Sequence, residues 1–513
     1  MNSQRSGGRR GRAAKRQSVA VKHFDAAWRH WVNPYPPIEQ FSADQIEAIH
    51  LTSLRVLSET GIKVLSAPAR DHYVSAGMTL ADDHVIRFDP DLVMELIGKA
   101  PATVTLHSRA PDRNVIIGGR NVGITTSAGS PNCSDLQGGR RPGTQADYDA
   151  FCKVAQAFDV IHMFGPVVEP QDVPMNLRHL GMARSVLTLT EKVPFVYFRG
   201  RQAIADSYEI LRIANGLTDD EFRTTPTCYS VANSNSPLQL DELMCRGIID
   251  SARAGQLMVL TPFTLAGAMA PVTIAGALVM QNAEALAGLC LSQIVRPGAP
   301  VCYGSFTSNV DMKTGAPAFG TPEYVRAAFA SGQLARRYNL PLRSSGPTAS
   351  NAPDAQAAYE TQMSLWGALM GGTNLLLHGA GWLEGGLTIS AEKFIIDVEV
   401  LQMFAELFKP IEVSDATLGL EAINDVGHGG HFFGTQHTLD RFETAFYSPL
   451  LSDWNNFENW SERGALDATT RANAIFHETL KAYQPPAFDP ARLEEMDDFI
   501  ARRTAEGGAD ISQ

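Results

Sequence analysis

Apolar and polar positions follow two rhythms along this chain. Near the front, Ile46, Ile49, Leu54 and Leu57 recur at helical spacing. Ser42-Ala-Asp-Gln45 precedes them as a capping box, and Gly61 supplies a stop. The stretch to about residue 120 mixes short helices with β-like runs such as Val104-Thr105-Leu106-His107 and Val115-Ile116-Ile117. From about residue 121 the pattern turns regular. Short apolar, β-rich runs begin near Val122, Val160, Pro194, Pro226, Leu257, Pro300, Pro341 and Asn374. A small-residue loop and a helical segment follow each, for example Tyr324 to Tyr338 and Ala355 to Leu369. The spacing is that of one βα unit.

Eight such units predict an α/β fold of the (β/α)8 TIM-barrel type. A doubly wound sheet is the competitor, but the first run leads into Ser127-Ala-Gly-Ser-Pro131, with no glycine fingerprint for phosphate. The expected organisation is a basic arm and lead-in over 1–40, an N-terminal α/β cap region over 41–120, the barrel over 121–410 and a C-terminal extension over 411–513. The aromatics of that extension, Phe446, Tyr447, Trp454, Phe457 and Trp460, are expected to be packed.

Charge changes the picture modestly. Acidic residues outnumber basic ones 55 to 43, which argues against a nucleic-acid partner for the folded body. The basic residues from Arg5 to Arg16 form an arm with no apolar segment behind it, so no secretory signal is read there. Six widely spaced cysteines read as buried, reduced thiols of a cytoplasmic protein. The uncharged stretch Leu257 to Met280 is long enough for a membrane span. Pro262 and Pro271 interrupt it, so it reads instead as a buried strand, a loop and the start of a buried helix. No membrane association is expected.

A barrel's site lies at the carboxyl ends of its strands. The expected mouth includes Tyr197-Phe-Arg199, Asn233-Ser-Asn235, Thr261-Pro-Phe263, Tyr303-Gly-Ser-Phe306, Ser344-Ser345 and His378-Gly-Ala-Gly-Trp382, followed by Glu384. It carries no paired-metal carboxylates, no nucleophile elbow and no H-E-x-x-H. Tyr303, Phe306 and Trp382 could cage a quaternary ammonium or simply pack the loops. The small residues Ser344, Ser345, Gly346, Gly379 and Gly381, with Asn233, would leave room for something flat and bulky. His431 and His437 are six apart and do not share a helical face, so a hydrogen-bonding role is expected over a metal pair.

Longer signatures carry a resemblance. They are Asn33-Pro-Tyr-Pro-Pro37, Ser58-Glu-Thr-Gly61, Met312-Lys-Thr-Gly-Ala-Pro317, Pro353-Asp-Ala-Gln356, His378-Gly-Ala-Gly-Trp-Leu-Glu384, Gly430-His431 and Gln436-His-Thr438. On these the chain resembles the trimethylamine methyltransferase family, in its branch lacking pyrrolysine, which includes glycine betaine methyltransferases. The resemblance implies a barrel whose mouth holds a small amine and receives a corrinoid (cobalamin), free or carried by a corrinoid protein, and a homo-oligomeric enzyme. Founding members place pyrrolysine in the loop after the seventh strand. Here that loop is Ser344-Ser-Gly-Pro-Thr-Ala-Ser-Asn351, made of standard residues.

The departure has chemical meaning. A tertiary amine needs activation before its N-methyl bond breaks, whereas a quaternary amine is already cationic. The expected reaction is therefore transfer of methyl from a quaternary amine, glycine betaine first, to Co(I), giving dimethylglycine and methylcobalamin. The expected substrate contacts are Tyr303, Phe306, His378, Trp382, Arg199 and Glu384, with Arg199, His378 or backbone N–H groups receiving a carboxylate. The expected corrinoid contacts are Ser344, Ser345, Gly346, Gly379, Gly381 and Asn233. Proline betaine, carnitine or choline are alternative substrates. From other classes, a metal-dependent hydrolase or lyase using His378, His431, Asp311 or Glu384 competes, as does a non-catalytic binder.

Overall fold

A computed structural model describes residues 28–198 and 200–510. The basic arm from Arg5 to Arg16 and the candidate Arg199 lie outside the described residues.

The fold is mixed α/β, built on a curled sheet of eight short parallel strands. These are β1 (Asn121–Ile124), β2 (Met163–Phe164), β3 (Val193–Pro194), β4 (Tyr229–Ala232), β5 (Leu257–Leu260), β6 (Val301–Gly304), β7 (Leu342–Ser345) and β8 (Leu375–Leu377). Each begins within about three residues of the position the apolar runs predict. Parallel ladders join β2 to β3, β4 to β5, and then β5 through β8 in order. The eighth strand pairs with β1. Single parallel bridges, Thr125 to Met163 and Phe195 to Tyr229, link β1 to β2 and β3 to β4.

A helix follows each strand: α1 (Gln145–Gln156), α2 (Arg178–Leu189), α3 (Arg201–Asn215), α4 (Glu242–Ala254), α5 (Ile274–Val295), α6 (Pro322–Arg337), α7 (Ala355–Gly371) and α8 (Ala391–Leu407). Local chemistry sets most of their starts. Thr144, Asp241, Thr273, Thr321, Asp354 and Ser390 each accept a backbone N–H of the first helical turn. The uncharged stretch becomes β5 and the start of α5, as expected, with a second strand, Phe263–Ala266, inside the expected loop. By length and composition α5 could cross a membrane, but it is mostly buried inside the protein. Its Gln281 bonds Ser305, Thr307 and Ser331, so one face is a polar seam against α6 and the segment that follows β6.

Strand pleat decides which side chains enter the curl. Paired residues of parallel neighbours share a face. Val259–Cys302, Arg343–Leu375 and Ser345–Leu377 are such pairs. Val259, Cys302, Leu375 and Leu377 pack together in one apolar cluster with Tyr229 and Leu257, which fixes the interior set. The same cluster takes in Val104, Leu106, Val115 and Ile117 from an antiparallel hairpin, Thr103–Leu106 with Val115–Gly118. That hairpin joins β1 at its amino end and closes this end of the curl.

At the carboxyl ends the loops are stiffened into small sheets. Phe263–Ala266 pairs in parallel with residues 306–309, and Thr388–Ser390 with Asn132–Ser134. The front segment includes the helix Ala43–Arg55, whose capping box is present, and a π-helical turn that ends at Gly61. Gly61 has φ +78°, and a side chain there would collide with the Ile86 carbonyl, so glycine is required.

The extension differs from expectation. Of the five aromatics expected to be packed, Tyr447 and Trp460 are half-buried, whereas Phe446, Trp454 and Phe457, like Phe433, are each more than 70% exposed. Helices of four to seven residues, such as Asp415–Leu418 and Leu420–Val426, have no second layer to cover these rings. The later helices Ala468–Ala482 and Pro490–Ala505 do pack, against α8 and α3.

Candidate functional site

The mouth is an aromatic cluster. Phe306, just past β6, lies 8% exposed and stacks on Phe319 at 5.4 Å with ring planes 5° apart. Around it stand Phe263 at 5.1 Å, His378 at 5.4 Å and Trp382 at 6.2 Å. The His378 ring is only 3.9 Å from Trp382, whose Nε1 donates to the Thr348 carbonyl. Further round the ends, Phe195 contacts Tyr197 at 5.0 Å and Tyr229 at 5.3 Å. Phe195, Tyr197, Val231 and Phe263 keep part of their surface open. Such rings offer π faces and few protons.

His378 is held in an unusual state. Its φ is +56°, a left-handed conformation that L residues adopt at a cost. Burial holds its pKa well below that of a free imidazole, and nearby Arg343 adds to the effect. The ring is therefore neutral at physiological pH, and its buried Nδ1 has no hydrogen-bond partner.

Below it, on β7, Arg343 is 2% exposed. Its guanidinium donates to the Ser305 carbonyl at 3.0 Å and lies 5.0 Å from the Phe306 ring centre. Burial pushes its pKa down to about 10, opposed by Tyr324, Cys302 and Tyr229, so it remains a cation.

The expected contacts divide cleanly. Phe306, His378 and Trp382 are brought together at the mouth. Ser345 faces the interior and its buried Oγ has no partner. Tyr303 is not in the mouth. It falls on the opposite pleat from Cys302 and points into the helix layer, where its hydroxyl donates to Asn282 at 3.0 Å and accepts from Gln281. Ser344 is likewise on the outer pleat, opposite in face to Arg343 and Ser345. Glu384 is occupied structurally: Arg140 binds it at 2.8 Å and Thr388 donates to it.

The expected room for a flat group at Gly346, Gly379 and Gly381 is filled by protein. A side chain there would meet Leu365, the Thr125 carbonyl and Ile389 respectively, all within 2.8 Å. These glycines serve close packing of the mouth loops. Asn233 is the one residue of that set with an open surface.

Sequence reasoning passed over Arg343, Phe195 and Phe319. Arg343 was legible as a charge inside the apolar run Pro341-Leu-Arg-Ser-Ser345, two residues before a strand end. Phe319 gave no signal, since it reaches the cluster from a loop more than ten residues beyond Phe306. All six cysteines are buried and unpaired. Among the described residues no group of three or more His, Cys, Asp or Glu is placed to hold a metal ion. His431 is exposed beside Phe433, and the buried Nε2 of His437 has no hydrogen-bond partner. Asp311 is exposed and caps its own turn through Thr314.

Comparison with known proteins places this geometry. The family described as trimethylamine methyltransferase (MTTB) matches residues 5–508. A glycine betaine methyltransferase of Desulfitobacterium hafniense (strain Y51) is 36% identical, over 92% of this chain and 98% of that protein. The trimethylamine methyltransferase MttB of Desulfitobacterium hafniense (strain DSM 10664 / DCB-2) is 31% identical over 87% of this chain and 90% of its own length. A solved structure, the Methanosarcina barkeri monomethylamine methyltransferase (MtmB), aligns at 11% identity and a TM-score of 0.49, covering 88% of this chain and 90% of that one. With the family matched over nearly its whole length, this chain belongs to the trimethylamine methyltransferase family.

Proposed function

We propose that this protein transfers a methyl group from a quaternary amine, glycine betaine first, to Co(I) of a corrinoid that reaches the mouth from outside. The observation that carries the reading is the mouth itself: an aromatic cluster around a neutral imidazole. Such a site suits a substrate that needs no proton. In that transfer the methyl carbon would pass to the corrinoid acceptor as its C–N bond breaks, and nitrogen would keep the electron pair, leaving dimethylglycinate with a neutral amine nitrogen. Aromatic faces attract the ammonium by about 0.5–2 kcal/mol each. Their low polarity also favours a transition state in which opposite charges merge. Phe195, Tyr197 and Phe263, whose rings keep part of their surface open, would hold the ammonium and exclude water.

The similarity to a glycine betaine methyltransferase supports the substrate choice. Open residues at the mouth, Asn233 among them, suit an acceptor that arrives and leaves rather than a resident group. The fold reading is the (β/α)8 barrel, supported by eight parallel strands with β8 paired back to β1. The division into cap region, barrel and extension at residues 121 and 411 is part of this proposal. Six unpaired thiols support a reducing, cytoplasmic setting.

The protein is also proposed to be a homo-oligomer through segment 411–466. Four exposed aromatic rings there, with Ile411, Val413, Leu420 and Phe442, present roughly 1,000 Å² of apolar surface. A stable interface needs about 800 Å² per partner.

The test is incubation of the purified protein with chemically reduced cobalamin and glycine betaine. Growth of the methylcobalamin spectrum together with dimethylglycine is the expected result. Silence across a panel of quaternary amines, with free cobalamin and with a corrinoid protein, would refute the reading.

A further inference from the structure

A cavity of about 300 Å³ lies at the opposite ends of the strands from the mouth. Arg120, which leads into β1, Leu342, which opens β7, and Asn374, which leads into β8, all line it. The lead-in segment forms one wall. Asn33 donates its backbone N–H to the Arg120 carbonyl at 3.0 Å and its side-chain amide to the Leu369 carbonyl at 2.8 Å. Two residues on, Tyr35 lines the cavity while 40% exposed, and Pro37 completes that side. The mouth makes no use of Asn33-Pro-Tyr-Pro-Pro37, one of the long signatures of the chain. Here the same segment builds a hollow.

The charges around this hollow are of one sign. Arg120 and Arg336 both line it, and among the described residues no Asp or Glu does. The Arg336 guanidinium donates to the Gly371 carbonyl at 2.9 Å. A Cβ at Gly332 or Gly372 would lie 3.1 Å from the same nitrogen, and both glycines line the cavity, which places this charge at its wall. Although the residue reaches solvent, partial desolvation draws its pKa down, opposed by Glu39, which is exposed and forms no ion pair with it. Arg120 makes neither an ion pair nor a side-chain hydrogen bond among the described residues. Like charges turned to one hollow repel, and an anion between them relieves that repulsion. The planar guanidinium fork also matches the oxygens of a phosphate or a carboxylate.

We propose that this cavity is an anion-binding site, separate from the mouth, for a small metabolite bearing a doubly charged oxyanion group, a phosphate ester or a di- or tricarboxylate, gripped by Arg120 and Arg336. The inference is independent of the quaternary-amine reading. A quaternary ammonium is repelled by the two arginines, and a corrinoid is too large for the space. The bound anion ties the lead-in segment to the starts of β7 and β8, the strands that run on to Ser345 and His378. A ligand held only by the folded chain stabilises it by mass action, so occupancy registers first in the stability of the whole fold.

The test is thermal unfolding of the full-length protein with inorganic phosphate, pyrophosphate, AMP and citrate, each against sodium chloride of equal ionic strength. At least one anion is expected to raise the melting midpoint saturably, by about 2–3 °C at roughly a hundredfold excess over its dissociation constant. The pattern names the source: phosphate, pyrophosphate or AMP for a phosphate ester, citrate for a polycarboxylate. Arg120→Gln is expected to weaken that binding about tenfold while leaving the ligand-free midpoint within about 1 °C. Arg336→Lys, which keeps the charge and loses the fork, should weaken it too. No saturable shift from any of the four anions overturns the proposal, and this arm needs no variant. A shift that survives Arg120→Gln unchanged overturns it as well, because it reports general stabilisation by anions. So does a change in the oligomeric state of Arg120→Gln on size exclusion, since the two arginines would then face a second copy.

Discussion

The mouth loop hangs on one buried ion pair, and breaking it has a calculable effect. Lys393 and Asp397, one turn apart on α8, are both fully buried and paired with each other. Burial drives the lysine's pKa down and the aspartate's up, each opposed by its partner. Lys393 also donates to Thr361 at 2.8 Å, and the second oxygen of Asp397 accepts the Gly381 N–H at 2.8 Å. Gly381 lies between His378 and Trp382, so this carboxylate secures the aromatic loop. Asp397→Ala leaves a buried ammonium alone, at a cost of about 3–5 kcal/mol. Unfolding entropy for a chain of 513 residues is about 1 kcal/mol per kelvin, so the melting midpoint should fall by about 3–5 °C. The double variant Lys393→Met/Asp397→Leu removes both charges and orphans chiefly the Gly381 N–H, which costs about 1–3 kcal/mol. It should melt between wild type and the single variant. Differential scanning calorimetry of the three proteins decides the matter. A double variant no better than the single one would refute the argument that the lone charge dominates.

Three further outcomes are expected. Tyr303→Phe should lose about 1 kcal/mol of stability, from its contacts to Asn282 and Gln281. Its methyl-transfer kinetics should stay within about twofold, whereas Phe263→Ala should raise KM by roughly 2- to 30-fold. Steady-state kinetics showing the reverse order would return Tyr303 to the mouth. Stability should fall on acidification, because burial lowers the pKa of His50 to about 4 and of His162 to about 3. The unfolded chain then takes up protons from about pH 6.5 downward while the folded protein does not, so stability is lost between about pH 6.5 and 4. Urea midpoints that stay constant between pH 7 and 5 would contradict this, and His162→Gln should flatten the slope. Phe433→Glu with Trp454→Glu should shift the protein from an oligomer to a monomer on size exclusion. A monomeric wild type at micromolar concentration would count against the proposed interface.

Much of the scaffold was legible because its signals are local. Each strand run is an apolar stretch bounded by small or capping residues, and those boundaries survive folding almost unshifted. Side-chain direction was not legible, because it depends on register with a neighbour. Tyr303 and Ser344 sit one residue from interior positions, and a single step along a strand reverses the face. The glycines at 346, 379 and 381 read as open space, since sequence cannot show that Leu365, Thr125 and Ile389 fill it. Phe446, Trp454 and Phe457 were expected to be packed for a related reason. Aromatic content signals burial without saying whether the cover lies in the same chain. Arg343 was missed because a charge within an apolar run reads as an interruption until its neighbours show that nothing nearby neutralises it.

The hairpin that closes the amino end of the curl has a kinetic consequence. With Val104, Leu106, Val115 and Ile117 sealing one side, the described residues leave the carboxyl ends of the strands as the doorway to the interior. An acceptor large enough to sit over that doorway blocks it. The amine must therefore board first, and the demethylated product must wait until the acceptor has departed. Steady-state patterns should be those of a compulsory-order mechanism, with an excess of acceptor acting as a stopper and inhibiting by trapping the empty enzyme.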